Sequence, residues 1–356
     1  MDLEALRAKI DLLDQQLVDL LNQRAQVVVE VGKLKQHNES QIYAPDREKQ
    51  VFAKICAANR GPLPNSCLEA IWRDLMSGSL ALEKPLKIAY LGPEGSFSHL
   101  AASRKFGVCV SYVPQLDIRS VFDEVVRGSA DYGIVPIENS TDGAITETLD
   151  AFLQSPLKIC AEIQVSIHHN LLGCGSLEKI EKVYSKPEVF GQCRKWLSDN
   201  LRRVELIPTP SSSAAVEKAA GDESAAAVGS ILAAELYGVP VLAANIEDKA
   251  DNVTRFFVIG TEAAKATGDD KTAIVLTVAH SKGTLADVLD IFRDHAINLT
   301  DINKRPGTSQ NWEYCFFLDC QGHAGDASLA AALKQVEDSC QQLHVIGSFP
   351  RASTIL

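Results

Sequence analysis

The sequence predicts three successive domains of different fold class: an all-α domain, an α/β domain of two lobes and an α+β domain. Up to residue 84 the apolar residues recur at helical spacing, and from Leu86 short apolar runs typical of buried strands alternate with helical segments. After a polar stretch at 261–270, strands and helices follow in the order βαββαβ. We place the domains at 1–84, 86–262 and 271–356.

The first helix is predicted over about 2–35, because aliphatic residues recur there at alternating steps of three and four. Arg24 takes the one remaining position of this apolar stripe. A buried guanidinium without an anion is costly, so either a neighbouring Asp or Glu neutralises Arg24 or an anionic ligand does. The stripe comprises Leu3, Leu6, Ile10, Leu13, Leu17, Leu20, Val27, Val31 and Leu34.

Two further cations, Arg7 and Lys35, lie on one flank of this helix, ~42 Å apart if it is straight. They are too distant to bind one small ligand together. Antiparallel pairing of two copies would bring Arg7 of one chain near Arg24 and Lys35 of the other. We therefore expect a homodimer with two shared pockets, each suited to a compact dianion rather than to nucleic acid.

Composition limits the function classes. The net charge of −11 over 356 residues argues against nucleic-acid and membrane-surface partners. Nine cysteines without C-x-x-C pairs, and a charged first helix in place of a signal peptide, predict a cytoplasmic protein with reduced thiols. No nucleotide-binding loop or zinc-ligand spacing appears, so no cofactor and no metal is expected. Cys315 and Cys320 are interpreted as packing residues, with a metal or redox role as the alternative.

The remaining elements follow from apolar runs and turn signals. Helices at about 45–58 and 66–82 complete the first domain. The α/β domain is predicted to contain strands at 87–91, 132–136, 163–167, near 183–184 and 225–228. The last domain is predicted as strand 273–279, helix 284–294, strand 298–303, strand 314–319, helix 327–339 and strand 344–349, the order of a ferredoxin-like sandwich.

Three turns of the middle domain carry hydroxyls and free N–H groups that can bind a carboxylate or phosphate. They are Gly92–Ser98, Glu138–Gly143 and Pro210–Ala214, and each is expected to follow a strand and open a helix. The alternative is that their Ser and Thr residues are plain helix caps. Asn252–Phe257 adds a hydroxyl beside a cation, with an edge strand and a solvated Arg255 as its alternative.

These residues carry a resemblance to the bifunctional P-proteins, in which a chorismate mutase is joined to a prephenate dehydratase with a C-terminal ACT domain. The resemblance covers essentially the whole chain. It implies a periplasmic-binding-protein-like fold for the two lobes, chorismate and prephenate as substrates and phenylalanine as effector. Its motifs are Gly92–Ser98, Val135–Ser140, Asn245–Asp248 and Asn252–Phe256, together with the mutase spacing of Arg7, Arg24, Lys35, Arg47, Glu48 and Ser79.

For the mutase, the resemblance implies that Arg24 and the other subunit's Arg7 clamp the two carboxylates of chorismate. Lys35 would hydrogen-bond the ether oxygen. Glu83 stands where some relatives have Gln, and it can donate to that oxygen only when protonated. Ala44 stands where some relatives have Asp. The pocket would be completed by Glu48 at the ring hydroxyl, by Ser79 at a carboxylate and by Arg47.

For the dehydratase, the resemblance implies that Thr254 donates to the leaving hydroxyl and that Arg255 anchors a carboxylate. The cleft would be lined by Asn139, Ser140, Thr141, Ser212, Ser213, Ala214 and Phe256. The resemblance implies that phenylalanine binds between paired ACT domains, with one half of the amino-acid pocket at Gly283, Thr284 and Leu285, together with Asn298, Leu299 and Thr300. Arg305 keeps the turn of a second signature, in which Asn303 and Lys304 replace Glu and Ser.

Two other interpretations remain open. One is an amino-acid-responsive regulator, which would require a basic DNA-reading helix-turn-helix. The other is an arogenate dehydratase whose helical region only holds the dimer together. The sequence also leaves open whether two or four chains assemble.

Overall fold

The computed structural model describes residues 2–37, 42–306 and 314–356. The chain folds into two compact units. The first comprises Met1–Ala44, Val51–Leu86 and Phe106–Ser111. The second comprises Pro45–Gln50, Lys87–Lys105 and Tyr112–Leu356.

Helices form the N-terminal part of the chain: α1 (Leu3–His37), α2 (Pro45–Ala58) and α3 (Asn65–Glu83). The predicted bounds of the second helix are confirmed, and α1 and α3 pack against each other. In α1 all nine aliphatic residues of the stripe are between 39% and 64% exposed. The stripe that the sequence predicts to be buried is therefore uncovered in the single chain.

The α/β part supplies two sheets. Its elements are β1 (Lys87–Leu91), α4 (Phe97–Phe106), β2 (Ser111–Gln115), α5 (Ile118–Val126), β3 (Tyr132–Asn139), β4 (Gly143–Ala144), α6 (Thr146–Phe152), β5 (Lys158–Ser166), β6 (Asn170–Gly173), β7 (Lys182–Ser185), α7 (Pro187–Gln192), α8 (Arg194–Asn200), β8 (Glu205–Pro208), α9 (Ser212–Ala219), β9 (Ala225–Gly229), α10 (Ile231–Tyr237), β10 (Val241–Ala243) and β11 (Val253–Gly260).

The first sheet has the strand order β2-β1-β3-β11-β5, with β4 beside β3, and the second has the order β10-β6-β9-β7-β8. Because β11 lies between β3 and β5, the alternative interpretation of its start as an edge strand is wrong. The turn after Asn139 leads into β4 before α6 begins, so the predicted direct step from this turn to a helix is wrong.

The chain crosses from the first sheet to the second after β5 and returns before β11. The carboxylate of Glu247 links these two connecting segments by hydrogen bonds. Glu247 accepts a hydrogen bond from the backbone N–H of His169 at 2.9 Å, and its other oxygen lies 2.8 Å from His168 Nδ1. The backbone adds a bond from Ile246 N–H to His169 O at 2.8 Å.

The C-terminal elements are β12 (Asp270–Val278), α11 (Thr284–Asp294), β13 (Leu299–Pro306), β14 (Tyr314–Gln321), α12 (Ala327–Ser339) and β15 (Gln342–Pro350). The predicted order βαββαβ is confirmed. The sheet order is β13-β14-β12-β15, with antiparallel neighbours throughout.

One apolar core joins the first sheet to the C-terminal sheet. It contains Ile137, Ile159 and Phe257 from the first and Phe317 and Phe349 from the second. The backbones approach closely where β15 passes β5, and Lys158 Nζ donates to Val345 O at 2.8 Å. Among the described helices, none is long and apolar enough to cross a lipid bilayer.

Candidate functional site

Arg24 meets a hydroxyl rather than an acid. Its Nη1 donates to Ser79 Oγ at 2.6 Å, and Ser79 in turn donates to Leu75 O at 2.8 Å. Desolvation by burial lowers the pKa of Arg24. Within the described part of the first unit, no carboxylate lies in ion-pair range of the guanidinium. Neutralisation by a neighbouring Asp or Glu is therefore not what this unit shows.

Lys35 lies at the other end of the same pair of helices. Its ammonium donates to Glu83 Oε2 at 2.8 Å and to Ile42 O at 2.9 Å. An ammonium carries three N–H donors, so one remains for a further acceptor. The sequence predicted Lys35 and Glu83 as members of one site, and the structure brings them together.

The other residues predicted for this site are placed as follows. Arg7 is exposed on α1. Arg47 is exposed and donates weakly to Gln50 at 3.5 Å. Glu48 forms an ion pair with Lys105 at 2.8 Å, a partner that the sequence did not indicate because it lies 57 residues away. The predicted contact of Glu48 with a ring hydroxyl stays a prediction.

In the second unit, Thr254 and Asn139 lie opposite each other on neighbouring strands. Asn139 Oδ1 accepts from the backbone N–H groups of Thr141 at 2.8 Å and Asp142 at 3.1 Å. These two donors fix the orientation of the amide, so its nitrogen must face Thr254, where Nδ2 donates to Oγ1 at 2.7 Å. Because Oγ1 accepts this bond, the Thr254 proton is available to another acceptor.

A polar chain extends from this pair into the second lobe. Asn139 Nδ2 also donates to Asn252 Oδ1 at 2.9 Å, and Gln192 bonds Asp142 at 3.2 Å and His169 Nε2 at 2.7 Å. Burial lowers the pKa of His169, which favours the neutral ring. The sequence analysis did not identify Gln192 or His169. Gln192 ends an ordinary helical segment, and no local signal marks either residue.

The serine-rich turn at the start of α9 divides between two roles. Ser211 is a plain cap, since its Oγ accepts from Ala214 N–H at 3.0 Å. Ser213 is fully buried, and its Oγ has no hydrogen-bond partner among the described residues. Ser212 is also buried, whereas Ser140 bonds the backbone of Val253 at 3.0 Å.

Gly95 brings the first turn of the α/β part against the second lobe. Its φ is +76°, and a Cβ there would lie 3.0 Å from the Ala233 Cβ and 3.1 Å from Ser213 Oγ. Ser230 Oγ donates to Gly95 O at 2.7 Å. Both lobes therefore contribute to one cleft, and only glycine fits at this contact.

Arg255 points away from Thr254, because successive residues of a strand face opposite sides of the sheet. It holds two protein carboxylates, with Nη2 2.7 Å from Glu162 Oε2 and 2.5 Å from Asp319 Oδ2. Its guanidinium also lies over the Phe257 ring. The structure thus puts Arg255 in a buried ion-pair site on the face of the sheet opposite the Asn139–Thr254 pair. The alternative of a solvated Arg255 is wrong, since the residue is buried. Its expected role as anchor of a substrate carboxylate stays a prediction. Phe256 is buried on the Thr254 side.

The residues predicted to bind an effector lie at the start of α11 and at the start of β13. Gly283 has φ +90° and precedes α11, whose Thr284 donates to Ala279 O at 2.8 Å, while Leu285 is partly buried. Thr300 Oγ1 donates to Asp319 O at 3.4 Å. Asn298 is exposed and Leu299 is half-buried. Arg305 forms a two-pronged ion pair with Asp150, at 2.7 Å and 2.6 Å.

Cys315 and Cys320 face opposite sides of β14, and both are buried. Burial raises the pKa of the Cys315 thiol to about 11 and that of Cys320 to about 12. Both cysteines are therefore protonated thiols in the two apolar cores, which agrees with the packing interpretation.

Three family models match successive parts of the chain. They are chorismate mutase type II over residues 6–84, prephenate dehydratase over residues 88–264 and the ACT domain over residues 272–338.

Similar proteins were found over the whole length. The chain is 42% identical to the bifunctional chorismate mutase/prephenate dehydratase of Aquifex aeolicus, over 99% of this chain and 98% of that protein. It is 31% identical to the Escherichia coli K12 protein of the same name, over 99% and 97%. Among solved structures, it resembles an Arthrobacter aurescens prephenate dehydratase in complex with L-Phe, with 31% identity, a TM-score of 0.70 and coverage of 75% and 90%.

Proposed function

The chain belongs to the family of bifunctional chorismate mutase/prephenate dehydratases, and from this membership we propose which residues carry each of its two reactions. The protein converts chorismate to prephenate and prephenate to phenylpyruvate. The first reaction is a rearrangement within one molecule, and the second removes carbon dioxide and a ring hydroxyl. Two separate polar clusters, one in each unit, are available for them.

The mutase site is proposed around Arg24 and Lys35. The Arg24 guanidinium, oriented by Ser79, binds a carboxylate of chorismate. The remaining N–H of Lys35 meets the ether oxygen, where negative charge grows in the transition state. Glu83, which accepts from Lys35 at 2.8 Å, is proposed to lie at the same oxygen, to which its carboxyl group can donate only when it carries a proton. A rearrangement within one molecule needs no nucleophile, so restriction of the substrate and electrostatics suffice.

A second copy of the chain is proposed to complete this site. The nine exposed aliphatic residues of α1 form a longer apolar stripe than a monomeric protein normally leaves in water. Antiparallel pairing along the stripe would cover it and bring Arg7 of the second copy to the other carboxylate. Homodimers, alone or paired into tetramers, meet this requirement.

The dehydratase site is proposed in the cleft between the two sheets, a fold of the two-lobed periplasmic-binding-protein type. Thr254 gives its proton to the leaving hydroxyl, and Ser140, Thr141, Ser212, Ser213, Ala214 and Phe256 line the cleft. The observation that carries this proposal is the fixed orientation of the Asn139 amide. Its Nδ2 donates to Thr254 Oγ1, so the threonine oxygen is the acceptor and the threonine proton remains for the substrate. A neutral hydroxyl is a weak acid, so orientation and the gain of aromaticity supply much of the driving force.

Thr254→Ala and Thr254→Ser test this assignment on one purified protein given chorismate, prephenate or arogenate. The alanine variant should lose phenylpyruvate formation by about a hundredfold or more, while its prephenate formation from chorismate is unchanged. The serine variant keeps the hydroxyl and should retain much of the rate. Loss of both activities in the alanine variant would contradict separate sites. Faster turnover of arogenate than of prephenate would favour the alternative substrate.

The C-terminal βαββαβ sheet is proposed as a ferredoxin-like ACT domain that binds phenylalanine and inhibits the dehydratase. The pocket is formed by the Gly283–Leu285 loop and the Asn298–Thr300 loop. The Arthrobacter aurescens dehydratase in complex with L-Phe supports this ligand. Titrating phenylalanine against dehydratase rate tests the proposal, and a flat response up to about 1 mM would contradict it.

A further inference from the structure

Arg255 is shared between the dehydratase sheet and the C-terminal sheet. Glu162 on β5 binds its Nε at 2.8 Å and its Nη2 at 2.7 Å, and Asp319 on β14 binds Nη2 at 2.5 Å. All three side chains are at most 10% exposed. The residue directly before this arginine in β11 is Thr254, so a carboxylate of the C-terminal sheet holds the neighbour of the proposed proton donor.

Asp319 is also in contact with the proposed effector pocket. Its carbonyl accepts from Thr300 Oγ1 at 3.4 Å, and Leu299 pairs in register with Cys320. A movement of the Asn298–Thr300 loop therefore acts on the backbone of Asp319 directly. Asp319 and Arg255 thus connect that loop to the residue next to Thr254.

The pairing of β11 with β3 is irregular next to Arg255, so the backbone can change its local geometry there. The pairing of β11 with β3 shifts register between Arg255 and Phe256, so that Phe256 lies opposite Pro136 while Arg255 lies opposite Glu138. Irregularities of this kind commonly re-aim side chains next to active sites. Thr254 is paired with Asn139 on the intact side of the irregularity, so a shift of Arg255 can change the direction of the threonine hydroxyl.

Space and charge around the ion pair also permit rearrangement. A cavity of about 20 Å³, room for about one water molecule, is lined by Arg255, Asp301, Asn303 and Asp319 together with apolar side chains. Glu162 still contacts Arg255 through Nε and Nη2 when the Asp319 carboxylate is replaced, so the guanidinium is not left without a carboxylate. Lys271 lies 3.3 Å from the same Glu162 side chain.

We infer that Asp319 is a positioning residue of the dehydratase: through Arg255 it sets the orientation of Thr254, and it passes the state of the effector loop to the active site. The regulatory half of this inference rests on the proposed phenylalanine site. The positioning half concerns the enzyme without effector. The ion pair of Arg305 with Asp150 joins β13 of the C-terminal sheet to helix α6 of the dehydratase part and supplies a comparison.

Asp319→Asn and its control Asp150→Asn, both made in the full chain, test the positioning role in the absence of phenylalanine and the regulatory role in its presence. In the absence of phenylalanine, Asp319→Asn should lower dehydratase kcat by about tenfold to a hundredfold, since small misplacements of a reacting group cost that much. Its KM should change by less than about twofold, and its mutase kcat should match the wild type. Asp150→Asn removes a more exposed ion pair between the C-terminal sheet and the dehydratase part, and it should leave dehydratase kcat unchanged.

Phenylalanine binding, measured by calorimetry, is compared with inhibition of the same samples. Asp319→Asn should bind phenylalanine within about threefold of the wild-type affinity, yet lose most of the inhibition, because binding and its consequence are uncoupled. Wild-type kcat and inhibition in Asp319→Asn would overturn the inference, as would equal losses of kcat in both variants.

Two further results keep the outcome decisive. If Asp319→Asn does not fold, Asp319→Glu keeps the charge and displaces the carboxylate by one methylene, and wild-type kcat in that variant would overturn the positioning role. If phenylalanine does not bind the wild type, the proposed effector fails. The kcat of the effector-free variants still decides whether Asp319 positions Thr254.

Discussion

At the scale of single residues, each proposed catalytic group is held by protein partners that leave a hydrogen-bond donor or a charge for the substrate. Asn139 donates a hydrogen bond to the Thr254 oxygen, so the threonine proton remains for the substrate. Glu83 and Ile42 take two donors of Lys35 and leave the third. Ser79 orients Arg24 without neutralising it. Orientation of this kind lowers the entropy that the substrate must lose in the transition state.

Glu83→Gln tests whether the mutase uses a hydrogen-bond donor at this position. A carboxylate can only accept hydrogen bonds, whereas the glutamine amide carries N–H donors. If a donor to the ether oxygen is what the site needs, the variant should have a mutase kcat at least equal to that of the wild type. Mutase kcat of both proteins in one buffer checks this.

Glu69→Gln is the matched control on the same helix, and it should keep the wild-type mutase kcat. A kcat of Glu83→Gln far below that of the wild type would show that the site needs the carboxylate of Glu83 rather than a donor.

Some of these residues could be predicted from sequence, and others could not. Thr254 and Asn139 stand in recognisable motifs at strand ends. Strand alternation puts Arg255 on the face opposite Thr254, although the sequence analysis assigned both residues to the substrate. Its partner Glu162 lies 93 residues earlier, and no local pattern indicates it. Gln192 and His169 reach the site only because the two lobes meet there.

At the scale of elements, amphipathic helices and strands with apolar runs were predictable because their periodicity is local. α11 and α12 have the predicted bounds, and β15 extends beyond the prediction by two residues at its start and one at its end. Short strands such as β2, β8 and β10 lack a long apolar run and were not identified. Their pairing depends on neighbours distant in sequence.

Gly347→Ala is expected to destabilise the contact between β15 and β5. A Cβ at this position would lie 2.5 Å from the carbonyl oxygen and 2.7 Å from the nitrogen of Ile159. Backbone atoms cannot move aside as a flexible side chain does, so the cost should be about 1–3 kcal/mol of unfolding free energy. Urea unfolding followed by dehydratase activity measures it.

Gly191→Ala is the control for this experiment, since nothing lies within 4 Å of a Cβ there and its backbone is helical. It should be neutral or slightly stabilising. Equal stabilities of the two variants would show that β15 and β5 can separate at little cost.

At the scale of the whole molecule, the two units differ in how far they are complete as single chains. The second unit encloses its apolar residues in continuous cores. The first unit exposes the stripe of α1. The proposed mutase therefore needs a second copy, whereas the proposed dehydratase cleft is built from one chain.

Leu17→Lys tests this difference. Leu17 is 57% exposed in the middle of the stripe, and a lysine there would bury a charge in the paired state. We expect the variant to sediment as a smaller species and to lose mutase activity while keeping dehydratase activity. Gln15→Lys adds the same charge on the opposite side of α1 and should retain both the assembly and the mutase. A Leu17→Lys protein with wild-type mutase activity would show that the pocket is complete in one chain.

The core shared by the dehydratase and C-terminal sheets has a practical consequence for strain engineering. Cutting off the C-terminal domain, the proposed phenylalanine-binding region, to obtain a feedback-resistant enzyme would expose Phe257 and Ile137 to water and leave Arg255 with one of its two carboxylate partners. A truncated product should therefore aggregate or turn over slowly. Single substitutions in the Asn298–Thr300 loop are the better route to overproduction.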